Sequence, residues 1–294
     1  MDPPNAGRPG RFALAGGRAL GYDEHGPADG RPVVYFHGTP SSRLDSGMFG
    51  GRALAERLGI RLIAIDRPGC GLSDFQPGRR IGDWPADVAA LADGLGLDRF
   101  AVLGWSGGGP YALACPLTLP DRVVVAGVVS GMGPHDVPWL TDGINPGSAR
   151  FFRLNRDRPV IGRLLDRLMA LSTHRDPERL MSKTLSALPS ADRAAMGLPE
   201  VAEAYVDALR ECLRPGPRGA QVDTSLMVSP WDFDPHDIQA PVSLWHGDRD
   251  TDAPAAMGRW LAQAIPECRA RFLDEGHISL IVNHAESILR SIAE

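Results

Sequence analysis

Gly104-Trp105-Ser106-Gly107-Gly108 decides how this chain is read. An apolar run, Phe100-Ala101-Val102-Leu103, leads into it, and Pro110 to Leu119 reads as a helix leading out. Strand, serine between glycines, helix: small residues let the backbone turn sharply and lift the hydroxyl clear of a sheet. The helix start then aims backbone N–H groups and a positive dipole end at any oxyanion formed there. Read alone, the pentapeptide is also compatible with a glycine-rich connection and an incidental serine. Its surroundings carry the decision.

Moving outward, short apolar runs alternate with helical spacing from Val33 to Val129. Pro32 to Phe36 and Arg61 to Ile65 are nearly all apolar, as suits strands buried on both faces of a parallel sheet. Met48 to Leu58 and Ile81 to Leu95 have helical spacing, with Asp83 a candidate N-cap of the second. Val123 to Val129 is a further strand. This alternation predicts a doubly wound α/β sheet. Upstream, the first ten residues read as a frayed tail, and Arg11 to Ala15 and Arg18 to Asp23 as two strands joined at Gly16-Gly17.

From Gly131 to about Asp237 the rhythm changes. Buried strands give way to helical patterns at Ser148–Asn155, Val160–Ser172, Pro177–Leu188, Ala191–Met196, Pro199–Leu213 and Ala220–Met227. Strand and helix then resume with Pro241–Trp245, Pro254–Ile265, Arg269–Leu273 and Ser279–Ile292. The later strands need the earlier sheet to pair with. Residues 11–130 and 238–294 therefore read as one core domain, and 131–237 as a helical cap, or lid, inserted in it.

The bulk numbers set outer limits. A chain of 294 residues buries a core large enough to need no disulfide or metal staple. Net charge is −5 without a long run of one sign, which argues against nucleic acid or a membrane surface as partner. No apolar run approaches the roughly 20 residues of a membrane span, and residues 1–10 lack the apolar stretch of a secretory signal. Cys70, Cys115, Cys212 and Cys268 show no metal-ligand spacing. A reduced cytoplasm is the expected compartment, with a small-molecule substrate as partner and a monomer or homodimer as the assembly.

A serine hydroxyl needs a base, and the base an orienting acid. In a doubly wound sheet such groups lie just past the carboxyl ends of strands. Ser106 follows the Phe100 strand, and His277 follows the Arg269 strand after a glycine. Asp248, Asp250 and Asp252 alternate along the loop after the Pro241 strand, and Asp250 is preferred as the acid. An oxyanion hole needs two N–H donors. Gly107, just after the serine, offers one, and Thr39 in His37-Gly38-Thr39-Pro40 the other. His37, Gly38, Trp105, Trp139 and Phe151 are the candidate substrate contacts.

With these residues in place, the chain resembles the α/β-hydrolase superfamily in its capped form. The resemblance rests on His37-Gly38-Thr39-Pro40, Asp66 to Ser73, Gly104 to Gly108, Gly247-Asp248-Arg249-Asp250 and Gly276-His277. It spans roughly residues 10–130 and 238–294. It implies a mostly parallel eight-stranded sheet flanked by helices, with the N-terminal hairpin as an antiparallel edge. In that superfamily the acid falls three residues after the loop glycine, which supports Asp250. Relatives that open epoxides or displace halides carry a carboxylate at the elbow. Serine here implies acyl transfer: a serine hydrolase acting on a carboxylic ester, thioester or lactone, without metal or organic cofactor. C–C bond hydrolysis, aminopeptidase action and cofactor-free peroxidation use the same three groups and stay open, as does a biosynthetic role. A ligand receptor with little turnover is the alternative of another class.

Overall fold

The computed structural model describes residues 8–158, 160–162, 164–165, 167–168 and 175–293. Their strands are β1 (Arg8–Ala13), β2 (Ala19–His25), β3 (Arg31–Phe36), β4 (Ile60–Ile65), β5 (Phe100–Trp105), β6 (Val123–Val129), β7 (Val242–Gly247) and β8 (Cys268–Leu273). They form an eight-stranded sheet in the order β1-β2-β4-β3-β5-β6-β7-β8. β1 pairs antiparallel with β2, and β2 with β4, while every later pairing is parallel. The sheet is thus the mostly parallel one expected, with its antiparallel edge at the N-terminus. Arg8 to Gly10 belong to β1 and not to a frayed tail, because they pair with Tyr22, Asp23 and Glu24 across the hairpin.

Side chains alternate across the strands and sort into two apolar layers. Val33, Tyr35, Leu62 and Leu103 face helices α1 (Gly51–Leu58) and the C-terminal His277–Ala293 helix through Leu54, Ile281 and Ile288. Val34, Phe36, Ile63 and Val102 face α2 (Trp84–Gly94) and α3 (Gly109–Thr118) through Val88, Leu91 and Leu113. Asp83 takes the expected N-cap position of α2, but its side chain bonds backward. The Asp83 carboxylate accepts from the Arg80 N–H at 2.8 Å, capping a 3-10 turn, and makes no cap bond to α2.

Between β6 and β7 lie α4 (Pro146–Asp157), α5 (Pro177–Ala187), α6 (Ser190–Met196), α7 (Pro199–Cys212) and α8 (Arg218–Met227). The expected Val160–Ser172 helix falls partly outside the described residues. Leu188, Ala195, Met196, Val201 and Ala204 join the same apolar cluster as Ile278 and Ile281, so the inserted helices and the sheet share a core. α9 (Ala255–Ala264) and α10 (His277–Ala293) complete the chain.

Candidate active site

Ser106 stands at the carboxyl end of β5, between β3 and β6. Its φ is +53°, the left-handed region that a serine adopts only where its surroundings impose it. The glycines make the turn possible. A Cβ on Gly104 would lie 2.2 Å from the Gly108 carbonyl oxygen, and one on Gly108 would lie 2.2 Å from that of Phe36.

The loops after β7 and β8 bring two more groups to this point. His277 Nε2 lies 2.8 Å from Ser106 Oγ, and its Nδ1 lies 2.8 Å from Asp250 Oδ2. Asp250 Oδ1 accepts from the N–H groups of Asp252 and Ala253 at 2.9 and 2.8 Å, which orients the carboxylate. Asp248 points elsewhere, into an exposed pair with Arg259. Asp252 accepts from Asn145 Nδ2 at 2.6 Å and Ser148 Oγ at 2.8 Å, tying α4 to the loop. Burial disfavours the imidazolium of His277. The Asp250 carboxylate and its hydrogen bond outweigh that, Asp252 and Asp192 add to them, and the group is raised to about 9.

Thr39 faces the elbow from the loop after β3. A Cβ on Gly107 would stand 2.5 Å from Thr39 Oγ1, so the Thr39 side chain packs against the Gly107 backbone beside Ser106. Among the described residues no protein acceptor meets the Thr39 N–H. The loop is held from beneath by Arg67, which is fully buried and donates to the carbonyls of His37 and Gly38 and to Thr39 Oγ1. His37 is buried as well. Its Nε2 accepts from the Arg67 N–H at 3.1 Å, so Nδ1 carries the proton and donates to the Gly38 carbonyl at 2.8 Å. Burial, then Arg67, push its pKa well below the usual imidazole value and keep it neutral.

A cavity of about 380 Å³ opens over Ser106, with Gly38, Trp105, Phe151, Phe152 and Met227 among its walls. Two expected contacts are corrected. His37 lies under the loop and not on the cavity wall. Trp139 is 52% exposed and is not on this cavity's wall, because its short 3-10 turn buries the neighbouring Leu140 against Met257 and leaves the indole outside.

A family model described as alpha/beta hydrolase fold matches residues 31–284. The chain belongs to the α/β-hydrolase family. Its relatives in that family catalyse varied reactions. It is 22% identical to a proline iminopeptidase of Neisseria gonorrhoeae, over 93% of this chain and 91% of that one. It is 26% identical to a pimeloyl-[acyl-carrier protein] methyl ester esterase of Chromobacterium violaceum, over 90% and 94%. A non-heme chloroperoxidase of Streptomyces lividans is 39% identical, over 42% of this chain and 45% of its own. In fold, a hydrolase from Pseudomonas aeruginosa superposes with a TM-score of 0.72 at 20% identity, covering 98% of this chain and 99% of that one.

Sequence reasoning missed the groups behind the α/β-hydrolase site. His246, at the end of β7, is fully buried, and its Nε2 donates to the Ala253 carbonyl at 2.7 Å and stands 3.8 Å from Asp250 Oδ2. Asp223, on α8, accepts from Arg67 Nε at 2.8 Å, from Tyr111 Oη at 3.0 Å and from Arg79. Desolvation opposes its charge, but Arg67 and Arg79 prevail and hold its pKa below the usual carboxylate value. Arg67 carried a signal, since it belongs to the Asp66–Ser73 stretch. Asp223 carried none, because nothing local distinguishes it from any acidic residue of an amphipathic helix.

Proposed function

We propose that this chain is a serine hydrolase that cleaves an ester-type bond of a small, partly apolar molecule through an acyl-enzyme on Ser106. The observation that carries the reading is the unbroken 2.8 Å path from Ser106 Oγ through His277 to Asp250 at the floor of the cavity. Neutral His277 accepts the serine proton at Nε2 while Oγ attacks the acyl carbon. The imidazolium that forms is stabilised by Asp250. The N–H groups of Thr39 and Gly107 receive the oxyanion of the tetrahedral intermediate. His277 then returns the proton to the leaving alcohol or thiol, whose bond to the acyl carbon breaks. In the second half, water loses a proton to Nε2 and attacks the acyl carbon, and Ser106 leaves with that proton.

Residues 131–237 act as a cap that closes the substrate side, with Phe151 supplying part of an apolar wall and Gly38 and Trp105 contacting the substrate from the core side. The esterase relative supports this substrate class, as does serine at the elbow. The test is labelling by a fluorophosphonate together with hydrolysis of p-nitrophenyl acetate. Wild type should be labelled once and turn over, and Ser106→Ala should do neither. A Ser106→Ala protein that keeps turnover refutes the reading. Parallel assays with thioesters and lactones then rank the leaving groups.

A further inference from the structure

His277 is the first residue of α10, and a helix start leaves its leading N–H groups without intrahelical acceptors. The residue before it, Gly276, has no side chain with which to cap them. The acceptor comes instead from Asp192 on α6, 85 positions earlier in the chain. Its Oδ2 accepts from the His277 N–H at 3.0 Å, and its Oδ1 accepts from those of Ile278 and Ser279 at 2.9 Å each. Asp192 is fully buried. A Cβ on Gly276 would lie 2.3 Å from Asp192 Oδ1, so the approach of this carboxylate requires glycine there. On its other side, the His277 carbonyl accepts from Trp105 Nε1 at 3.4 Å and Ser130 Oγ at 3.2 Å. Ser130 sits at φ +46° to do this, a second non-glycine in the left-handed region. The backbone of His277 is thus held by the inserted helices at its N–H and by the sheet at its carbonyl.

We propose that Asp192 is a positioning residue: through it the inserted helix α6 fixes the backbone of His277 so that Nε2 meets Ser106 Oγ. The proposal rests on the reading of Ser106 as nucleophile and His277 as base. A cap that served folding alone would leave kcat unchanged in any variant that folds. Asp192 also lies close enough to His277 to favour its imidazolium. Among the described residues, the charged and titratable groups that act on His277 include Asp250 and Asp252 on the loop after β7, Asp192 on α6 and His246 at the end of β7. Removing one carboxylate weakens the imidazolium, so the histidine loses its proton at a lower pH. Because the base acts when neutral, the acid limb of kcat/KM should move to lower pH as well.

Asp192→Asn and Gly276→Ala separate the effects. The first removes the charge, and the second keeps it but pushes the carboxylate off the helix start. Each is compared with wild type by melting temperature, by kcat and KM for p-nitrophenyl acetate, and by NMR titration of the His277 imidazole, assigned with His277→Gln. The expected result is a roughly hundredfold loss of kcat in both variants with KM nearly unchanged. The His277 titration should move to lower pH in Asp192→Asn. Wild-type kcat and an unmoved titration, with only a lower melting temperature, overturn the proposal. Should Asp192→Asn fail to fold, Gly276→Ala decides by the same kcat criterion. If wild type and Ser106→Ala hydrolyse the ester alike, the reading of Ser106 fails, and the His277 titration alone decides whether Asp192 acts on the histidine.

Discussion

Ser106 and His277 carry the sharpest predictions at the residue scale. Ser106→Ala should lower kcat roughly 10⁴- to 10⁶-fold, with an unchanged circular dichroism spectrum. His277 is raised to about 9, so the protonated form dominates at neutral pH. Consequently kcat/KM for a neutral ester should climb as pH rises from 6 toward 9, and an acid limb centred at or below 6.5 would show that Asp250 does not raise the histidine. The sign for stability is the reverse. A histidine whose folded-state pKa exceeds its unfolded value stabilises the fold fully below about pH 6.5, and that contribution fades as pH rises through about 9. Trp139 and Phe151 make a contrasting pair. Trp139→Ala, at an exposed site, should change stability by no more than about 0.5 kcal/mol and leave kcat/KM within about twofold. Phe151→Ala, in the cavity wall, should raise KM for esters with an apolar acyl chain about tenfold.

At the scale of elements, the loop after β3 and the start of α10 are each positioned by a carboxylate from the inserted helices. Asp223 on α8 neutralises Arg67 and Arg79, and Arg67 holds the His37–Thr39 backbone. Asp223→Ala would leave two buried guanidinium groups unpaired. It should cost about 3–5 kcal/mol, read from urea denaturation, and should lower kcat by loosening Thr39. A loss below about 1 kcal/mol would show that the pairing contributes little. Element boundaries illustrate what local sequence conveys. The strands flanking the elbow were legible because a buried parallel strand needs an uninterrupted apolar run. Local spacing starts α10 at Ser279, two residues after its true start at His277, because its capping group is not in the local sequence. Asp83 stands at the N-cap position its residue type suits, but its carboxylate bonds backward to Arg80, a choice of partner that local sequence does not convey.

For the molecule as a whole, the inserted helices and the sheet are joined by apolar packing and by buried ion pairs. Met196 and Val201 sit in one cluster with Ile281, and Glu211 on α7 pairs at 2.7 Å with Arg43, which also binds Asp23 and Asp66. The two parts should therefore unfold together. Thermal melts followed by far-ultraviolet circular dichroism and by tryptophan fluorescence are expected to coincide, and two separated transitions would show independent units.

The sequence by itself determined the alternation of strands and helices, the edge hairpin, and the residues standing at the strand ends: Ser106, Asp250, His277 and Thr39. Those features are written in local periodicity and turn chemistry, and parallel-sheet topology then places them along one edge. Only the tertiary structure decided which groups hold them there. Asp192 reaches His277 across 85 positions, and Asp223 reaches Arg67 across 156. It also turned Trp139 outward and His37 beneath its loop. A hydrogen-bond partner that distant is selected by how the elements pack and by the cost of leaving a buried polar group unmet, and neither is encoded in the spacing of residues along the chain.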